Sequence, residues 1–189
     1  MSVTAARGFS AAGVTAGLKA SGRSDVALVV NTGPRDAVAA VYTSNRCKAN
    51  PVLWSEQVTA DGAARAVVLN SGGANCYTGP EGFATTHATA ELVADLVGVG
   101  ASDVVVCSTG LIGVLFSREL LLDGVRAAHS ALSPDAGTAA AEAIMTTDSV
   151  PKQSVVEADG FTVGGMAKGA GTSMPSAHIT ASPTRATPR

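Results

Sequence analysis

Three apolar runs, each released into a turn rich in small residues, constrain the fold of this chain more than any other feature. Residues 25–30 close on Asn31-Thr32-Gly33-Pro34, residues 65–70 run into Ser71-Gly72-Gly73-Ala74-Asn75, and residues 103–107 run into Ser108-Thr109-Gly110. Their length and their content of Val and Leu read as strands that end in turns. A strand apolar at almost every position must be covered on both faces, because neither face can be left to water. Residues 37–43, which end in polar Ser44-Asn45-Arg46, read as a further strand by the same signals.

Helices fall between the strands. Pro80 sits at a helix start, Phe83, His87, Ala90, Leu92, Val93, Leu96 and Val97 follow at helical spacing, and Gly98 lies just beyond. Leu120, Leu121, Val125, Ala128 and Leu132 make a second stripe, closed by Ser133-Pro134, and residues 135–145 are alanine-rich and helix-prone. Residues 153–156, a turn at Ala158-Asp159-Gly160, and residues 161–163 form a hairpin by turn chemistry. No repeat or linker interrupts the chain before residue 171. The expected fold class is α/β, an α+β layered sandwich.

Composition narrows the function classes. At 189 residues and 46% hydrophobic but only 4% aromatic, the chain must build its core from Ala, Val and Leu. A net charge of −2 with scattered Lys and Arg offers no basic face for nucleic acid. No run approaches the ~20 apolar residues of a membrane span, and the first nine residues hold no signal-peptide core. Cys47, Cys76 and Cys107 follow no disulfide or metal-ligand spacing and suit a reducing compartment, so the expected location is cytoplasmic and the expected metal content none. His87, His129 and His178 are dispersed, and packing is the expected role of the two on helices.

From Thr172 onward the character changes. Residues 172–189 contain no Val or Leu, three prolines, and many Ser, Thr and Ala, which by composition is a disordered extension. The expected organisation is one domain over residues 1–171 and an aberrant tail over residues 172–189.

Three strand-to-turn junctions place small polar residues beside glycine: Asn70-Ser71-Gly72-Gly73, Cys107-Ser108-Thr109-Gly110 and Met166-Ala167-Lys168-Gly169. Glycine lets backbone amides approach a ligand closely, and such a junction can supply an oxyanion hole worth about 3 kcal/mol per donor. Each junction taken alone can equally be an ordinary tight turn. Lys168, with apolar and glycine neighbours, is suited to a substrate carboxylate or to solvent. Thr146-Thr147-Asp148 can bind polar substrate groups or cap the turn in which they lie.

Taken in order, these pieces resemble ornithine acetyltransferase, the bifunctional glutamate N-acetyltransferase/amino-acid acetyltransferase family of the cyclic arginine pathway. The matching segments are Gly8-Phe9, Ala12-Gly13 and Gly17-Leu18-Lys19, then Val41-Tyr42-Thr43-Ser44-Asn45 and Pro51-Val52-Leu53-Trp54. They continue through residues 69–75, Thr78-Gly79, residues 107–113, residues 144–148 and residues 164–171. The resemblance covers residues 8–171, the N-terminal or α-chain part of the family fold.

The resemblance implies a precursor that cuts itself before a threonine, giving an α chain and a β chain that stay associated as a hetero-oligomer. The new N-terminal threonine would take acetyl from N-acetylornithine and pass it to glutamate, with no cofactor and with acetyl-coenzyme A as a possible donor. Position by position, Thr109 and Gly110 match the oxyanion-stabilising pair, and Thr146 and Lys168 match substrate-binding positions. The chain departs from the family at the expected nucleophile, where Ile179 has no nucleophilic atom and Thr180 stands one residue late. The β portion is missing, and the tail reads as translation of a GC-rich gene in the wrong frame, which the encoding DNA would settle. The alternative reading is a truncated, non-catalytic fragment or a small-molecule-binding remnant. Residues 103–107 are expected to leave an apolar face open to the absent β portion and to promote self-association.

Overall fold

The computed structural model describes residues 2–169 and 177–181. Its centre is a four-stranded sheet of β1 (Phe9–Val14), β2 (Val26–Asn31), β3 (Ala66–Gly73) and β4 (Val104–Leu111), in that spatial order. β1, β2 and β3 pair antiparallel, whereas β3 and β4 are parallel because α2 (Gly79–Val97) carries the chain from one to the other.

The apolar runs are buried on both faces, as their composition demands. Val26, Leu28 and Val30 of β2 point into one core with Val68, Val104 and Val106, and Ala27 and Val29 point into the other. The first core is covered by α1 (Asn50–Val58), α2 and α3 (Arg118–Ser130), through Trp54, Val58, Ala90, Val93, Leu121, Val125 and Ala128. The second is covered by α4 (Gly137–Ala143) and by Met166, which lies on a separate antiparallel sheet. That sheet is β5 (Lys152–Ala158), β6 (Phe161–Lys168) and β7 (Ala177–Ala181), ordered β5-β6-β7. The result is an α/β layered fold.

The alanine content of α4 has a geometric use. Ala140, Ala141 and Ala143 let the helix backbone lie against β1, so closely that a Cβ on Gly13 would stand 2.0 Å from the Ala139 carbonyl oxygen. Only glycine fits there.

Several expectations hold. The two long helices, the alanine-rich helix and the hairpin all form, with α3 opened by Ser117, whose hydroxyl accepts from the Leu120 N–H. Others fail for identifiable reasons. Residues 37–43 are not a strand; they make one isolated bridge, Ala37 to Ala63, and Val41 is 98% exposed. β2 already has a neighbour on each side, so this segment cannot pair with it. β1 and α1 carried no clear periodic signal and were not anticipated.

β4 does not present a bare apolar face, which corrects the expectation for residues 103–107. Val104, Val105 and Val106 are buried within the chain itself. α1 also serves β4's open edge: Trp54 Nε1 donates to the Val104 carbonyl at 2.9 Å, Ser55 Oγ donates to the Val106 carbonyl at 2.8 Å, and the Val106 N–H donates to Ser55 Oγ at 3.1 Å. A helix thus satisfies edge groups that would otherwise invite another strand. The expected disordered tail is corrected in part as well: residues 177–181 form β7, with Met166 opposite Ile179 and Gly165 opposite Thr180. Backbone pairing along an available edge is insensitive to the polar composition that suggested disorder. Residues 170–176 and 182–189 lie outside the described residues.

Candidate functional site

β3 and β4 run parallel, so their C-terminal ends emerge side by side, and two of the three glycine junctions are brought together by register alone. Asn70 stands opposite Ser108, Ser71 opposite Thr109, and Gly72 opposite Gly110, with an irregularity at Gly72 and Gly73. In open α/β sheets the crevice beyond the carboxyl ends of parallel strands is the usual place for a ligand. Side chains reinforce the pairing: Ser108 Oγ donates to Asn70 Oδ1 at 2.6 Å, and Asn70 Nδ2 donates to the Gly73 carbonyl at 3.1 Å.

Gly110 adopts φ +135°, and a Cβ there would lie 2.7 Å from both the Gly72 carbonyl carbon and the Gly73 nitrogen. No other residue can occupy this position without moving β3.

The third junction arrives from the other sheet. Lys168, the last residue of β6, is 9% exposed, and its ammonium donates to Thr109 Oγ1 at 2.6 Å across 59 residues of sequence. Burial rules out a solvated surface lysine. Leu69, Asn70, Cys107, Ser108, Thr109, Ile144 and Lys168 enclose a cavity of about 40 Å³. A space of that size holds a water or the oxygen end of a ligand, and the rest of a substrate must extend outside it.

Electrostatics favour an anion here. Burial pushes the Lys168 pKa down, Asp148 pulls it back up and Lys152 adds to the lowering. Asp148 is the balancing carboxylate. Its buried oxygens accept the Gly169 N–H at 2.8 Å, the Thr146 N–H at 3.2 Å, and the Lys152 ammonium, which also donates to the Gly169 carbonyl at 2.7 Å. Burial alone would raise this carboxyl, but the Lys152 bond, the two amides and the Lys152 charge outweigh it and hold it at about 2. Cys107, in the cavity wall, is pushed up to about 11 by burial, so at neutral pH it is a thiol and a poor nucleophile.

Thr109, Gly110 and Lys168 are therefore gathered at one place. Thr146 makes no hydrogen bond to Lys168 or Thr109 among the described residues and is not among the residues lining the cavity; it is linked to the site through Asp148, which bonds both Thr146 and Gly169. Asp148 takes the turn-capping role allowed for residues 146–148. Asn70 and Ser108 lie in the two candidate junctions, whereas Lys152 was not among the candidates. Lys152 stands four residues after Asp148, the one spacing that could have flagged it. His87 packs edge-on against Trp54 and Phe83, with ring centroids 4.4 and 4.6 Å away, in keeping with a packing role. Among the described residues no His, Cys, Asp and Glu cluster could hold a metal, and no helix is long and apolar enough to cross a membrane.

Comparison with known proteins gives this site a context. The sequence pattern of the ArgJ family matches residues 10–181. The arginine biosynthesis bifunctional protein ArgJ of Streptomyces coelicolor is 67% identical over 171 residues, covering 90% of this chain and 45% of that protein. That of Mycobacterium tuberculosis is 56% identical over 184 residues, covering 92% and 45%. Among solved structures, an ornithine acetyltransferase from Mycobacterium tuberculosis complexed with ornithine superposes with TM-score 0.89 at 54% identity, over 94% of this chain and 96% of that one. ArgJ from Bacillus halodurans superposes with TM-score 0.74 at 28% identity, over 97% and 88%. The chain thus spans a little under half the length of the curated relatives it matches.

Proposed function

The chain belongs to the ArgJ family, and on that premise we propose that it carries the charge-stabilising half of an acetyl-transfer site in arginine biosynthesis. In this reading the complete protein moves acetyl from N-acetylornithine to glutamate in the cytoplasm. The nucleophile, an N-terminal threonine exposed by self-cleavage, comes from the polypeptide that follows this span in the relatives. No prosthetic group takes part, and acetyl-coenzyme A is a second possible donor.

One observation carries the reading: the Lys168 ammonium donates to Thr109 Oγ1 at the C-terminal ends of β3 and β4. Because the lysine fills one lone pair of Oγ1, the Thr109 O–H hydrogen is left to point at another acceptor. When a nucleophile adds to an acetyl carbonyl, its oxygen becomes an alkoxide, and the Thr109 hydroxyl with the Gly110 amide would bind it. Lys168 adds positive charge behind the threonine and strengthens that donor in a water-poor place. Thr146 holds the substrate from the far side of Asp148.

The lengths of the matched chains support a two-chain arrangement. This chain covers 45% of the curated Mycobacterium tuberculosis relative but 96% of the chain in the solved structure from that organism, so the solved chain is itself about half of the curated sequence. Ile179 is paired opposite Met166; in this reading it occupies the position that the resemblance gives to the threonine, and the covalent route comes from the partner chain. The test is acetyl transfer from N-acetylornithine to glutamate, measured on this chain, on a version ending at Gly171, and on each mixed with a separately made C-terminal chain beginning at threonine. Activity only in the mixtures supports the reading. Transfer by the chain alone overturns it.

A further inference from the structure

Behind the glycine junctions sits a buried carboxylate that the site has not yet accounted for. Asp25, the residue before β2, is 0% exposed. Its Oδ1 accepts the Ala16 N–H at 2.6 Å, and its Oδ2 accepts the Leu18 N–H at 2.6 Å and the Lys19 N–H at 3.1 Å. Among the described residues the ion pairs are Lys48–Glu56, Arg65–Asp36, Arg126–Asp123 and Lys152–Asp148, and none of them includes Asp25. Taking a carboxylate out of water costs several kcal/mol. An ordinary loop needs no such group, because an exposed Asn or Gly closes one.

The loop that Asp25 holds bears on both members of the oxyanion pair. In one row across the sheet, the Asp25 carbonyl accepts the Ser71 N–H at 2.8 Å, and Ser71 stands opposite Thr109. In the next row, a Cβ on Gly72 would lie 2.9 Å from the Leu18 carbonyl oxygen, and a Cβ on Gly110 would lie 2.7 Å from the Gly72 carbonyl carbon. Loop, β3 and β4 therefore stack backbone on backbone. Ser71, itself fully buried, also donates through Oγ to the Ala143 carbonyl, which takes a second bond from Lys19 Nζ at 3.5 Å. The end of α4 is thus tied to the same loop.

We infer that Asp25 is a positioning residue of the acetyl-transfer site, acting on Thr109 through Ser71 from two strands away, about 10 Å. Lys168 fixes the Thr109 hydroxyl from the second sheet, and the row that begins at Asp25 fixes the backbone that carries it. Asn at position 25 would turn an N–H donor toward one of the three backbone amides, so at least one of these bonds is lost and the loop moves.

The inference rests on the acetyl-transfer reading for its kinetics but not for its geometry, and the test has an arm for each. In this chain mixed with the C-terminal partner chain, Asp25→Asn should lower kcat about 10–100-fold and leave KM within about twofold, the signature of misplacing a group that acts in the transition state. Added to Thr109→Ala it should lower kcat by no more than about threefold, because the hydroxyl it positions is already gone. Ser71→Ala, which breaks the row one strand later, should lower kcat about fivefold alone and hardly at all in the Thr109→Ala background. An equal fold loss in both backgrounds, or a raised KM with kcat unchanged, would overturn the inference. The second arm is methyl-labelled threonine NMR on the 189-residue chain, which needs no turnover. Asp25→Asn should shift the Thr109 methyl while that of Thr89, on α2, stays in place. An unmoved Thr109 methyl in the folded variant overturns the inference, whereas absence of transfer by the unmodified pair counts against the acetyl-transfer reading alone. Where Asp25→Asn does not fold, Ser71→Ala decides both arms.

Discussion

Replacing Asp148 by Asn probes the framework that holds the site together. The carboxyl titrates at about 2 in the folded chain against an ordinary 3.8, despite burial that by itself would raise it. A folded-state pKa below the unfolded one means that the ionised form stabilises the fold, and at neutral pH that linkage is worth about 2 kcal/mol. Asn keeps the shape and one acceptor oxygen but loses the charge beside Lys152 and weakens the bonds from the Gly169 and Thr146 amides. The expected loss at neutral pH is therefore about 2–3 kcal/mol, read from urea unfolding. The contribution is complete above the unfolded pKa and disappears as pH falls through the folded one. The gap between the two proteins should accordingly close between about pH 4 and pH 2. A gap that stays constant across that window would refute the reasoning, since the carboxylate charge would then contribute nothing.

Gly110→Ala forces a Cβ against the β3 backbone at a positive φ and should destabilise by about 3 kcal/mol in chemical denaturation; a loss below about 1 kcal/mol would mean the junction is looser than described. Ser55→Ala strips the Val106 N–H and carbonyl of their partner and should cost about 2 kcal/mol while promoting concentration-dependent self-association, visible by light scattering. At neutral pH a thiol reagent should label exposed Cys47 readily and Cys107 only after unfolding. In the reconstituted enzyme Thr109→Ala should lower kcat by about 10²–10³ with little change in KM, because the hydroxyl acts on charge that exists only in the transition state.

How much was legible in the sequence follows from what kind of information each element carries. β2, β3 and β4 announced themselves because burial on both faces leaves no room for polar residues, and α2 because its stripe spans five turns. Four of the six residues of β1 are Ser, Ala or Gly, and its packing between β2 and α4 is what makes it a strand. Residues 37–43 show the converse, with strand-like composition but only the isolated bridge from Ala37 to Ala63. At the site, glycine marked the ends of β3 and β4, since close approach of two backbones needs it. The bond from Lys168 to Thr109 could not be read from spacing, because two sheets and 59 residues separate the partners. Thr146 could not be placed from residue type alone. Its residue type matches, yet here its amide serves Asp148 and the pair is reached only through that carboxylate.

The alanine-rich composition also has a mechanical consequence. With few aromatic side chains, contact between layers depends on backbones lying close together, as at Gly13 beneath Ala139. Such packing tolerates little change of volume. It delivers Ile144 and the turn to Asp148 at a fixed height above the sheet, aided by Ser71 and Lys19, which both donate to the Ala143 carbonyl.

The most direct measurement locates the acetyl group. This chain, mixed with a C-terminal partner chain and N-acetylornithine, is quenched and mapped by peptide mass spectrometry. Acetyl should be found on the partner's first threonine, with none on Thr109, Thr180 or Lys168 of this chain and none at all when the partner is left out. Stoichiometric acetylation of a side chain within these 189 residues would contradict the account, because the chain would then hold its own nucleophile.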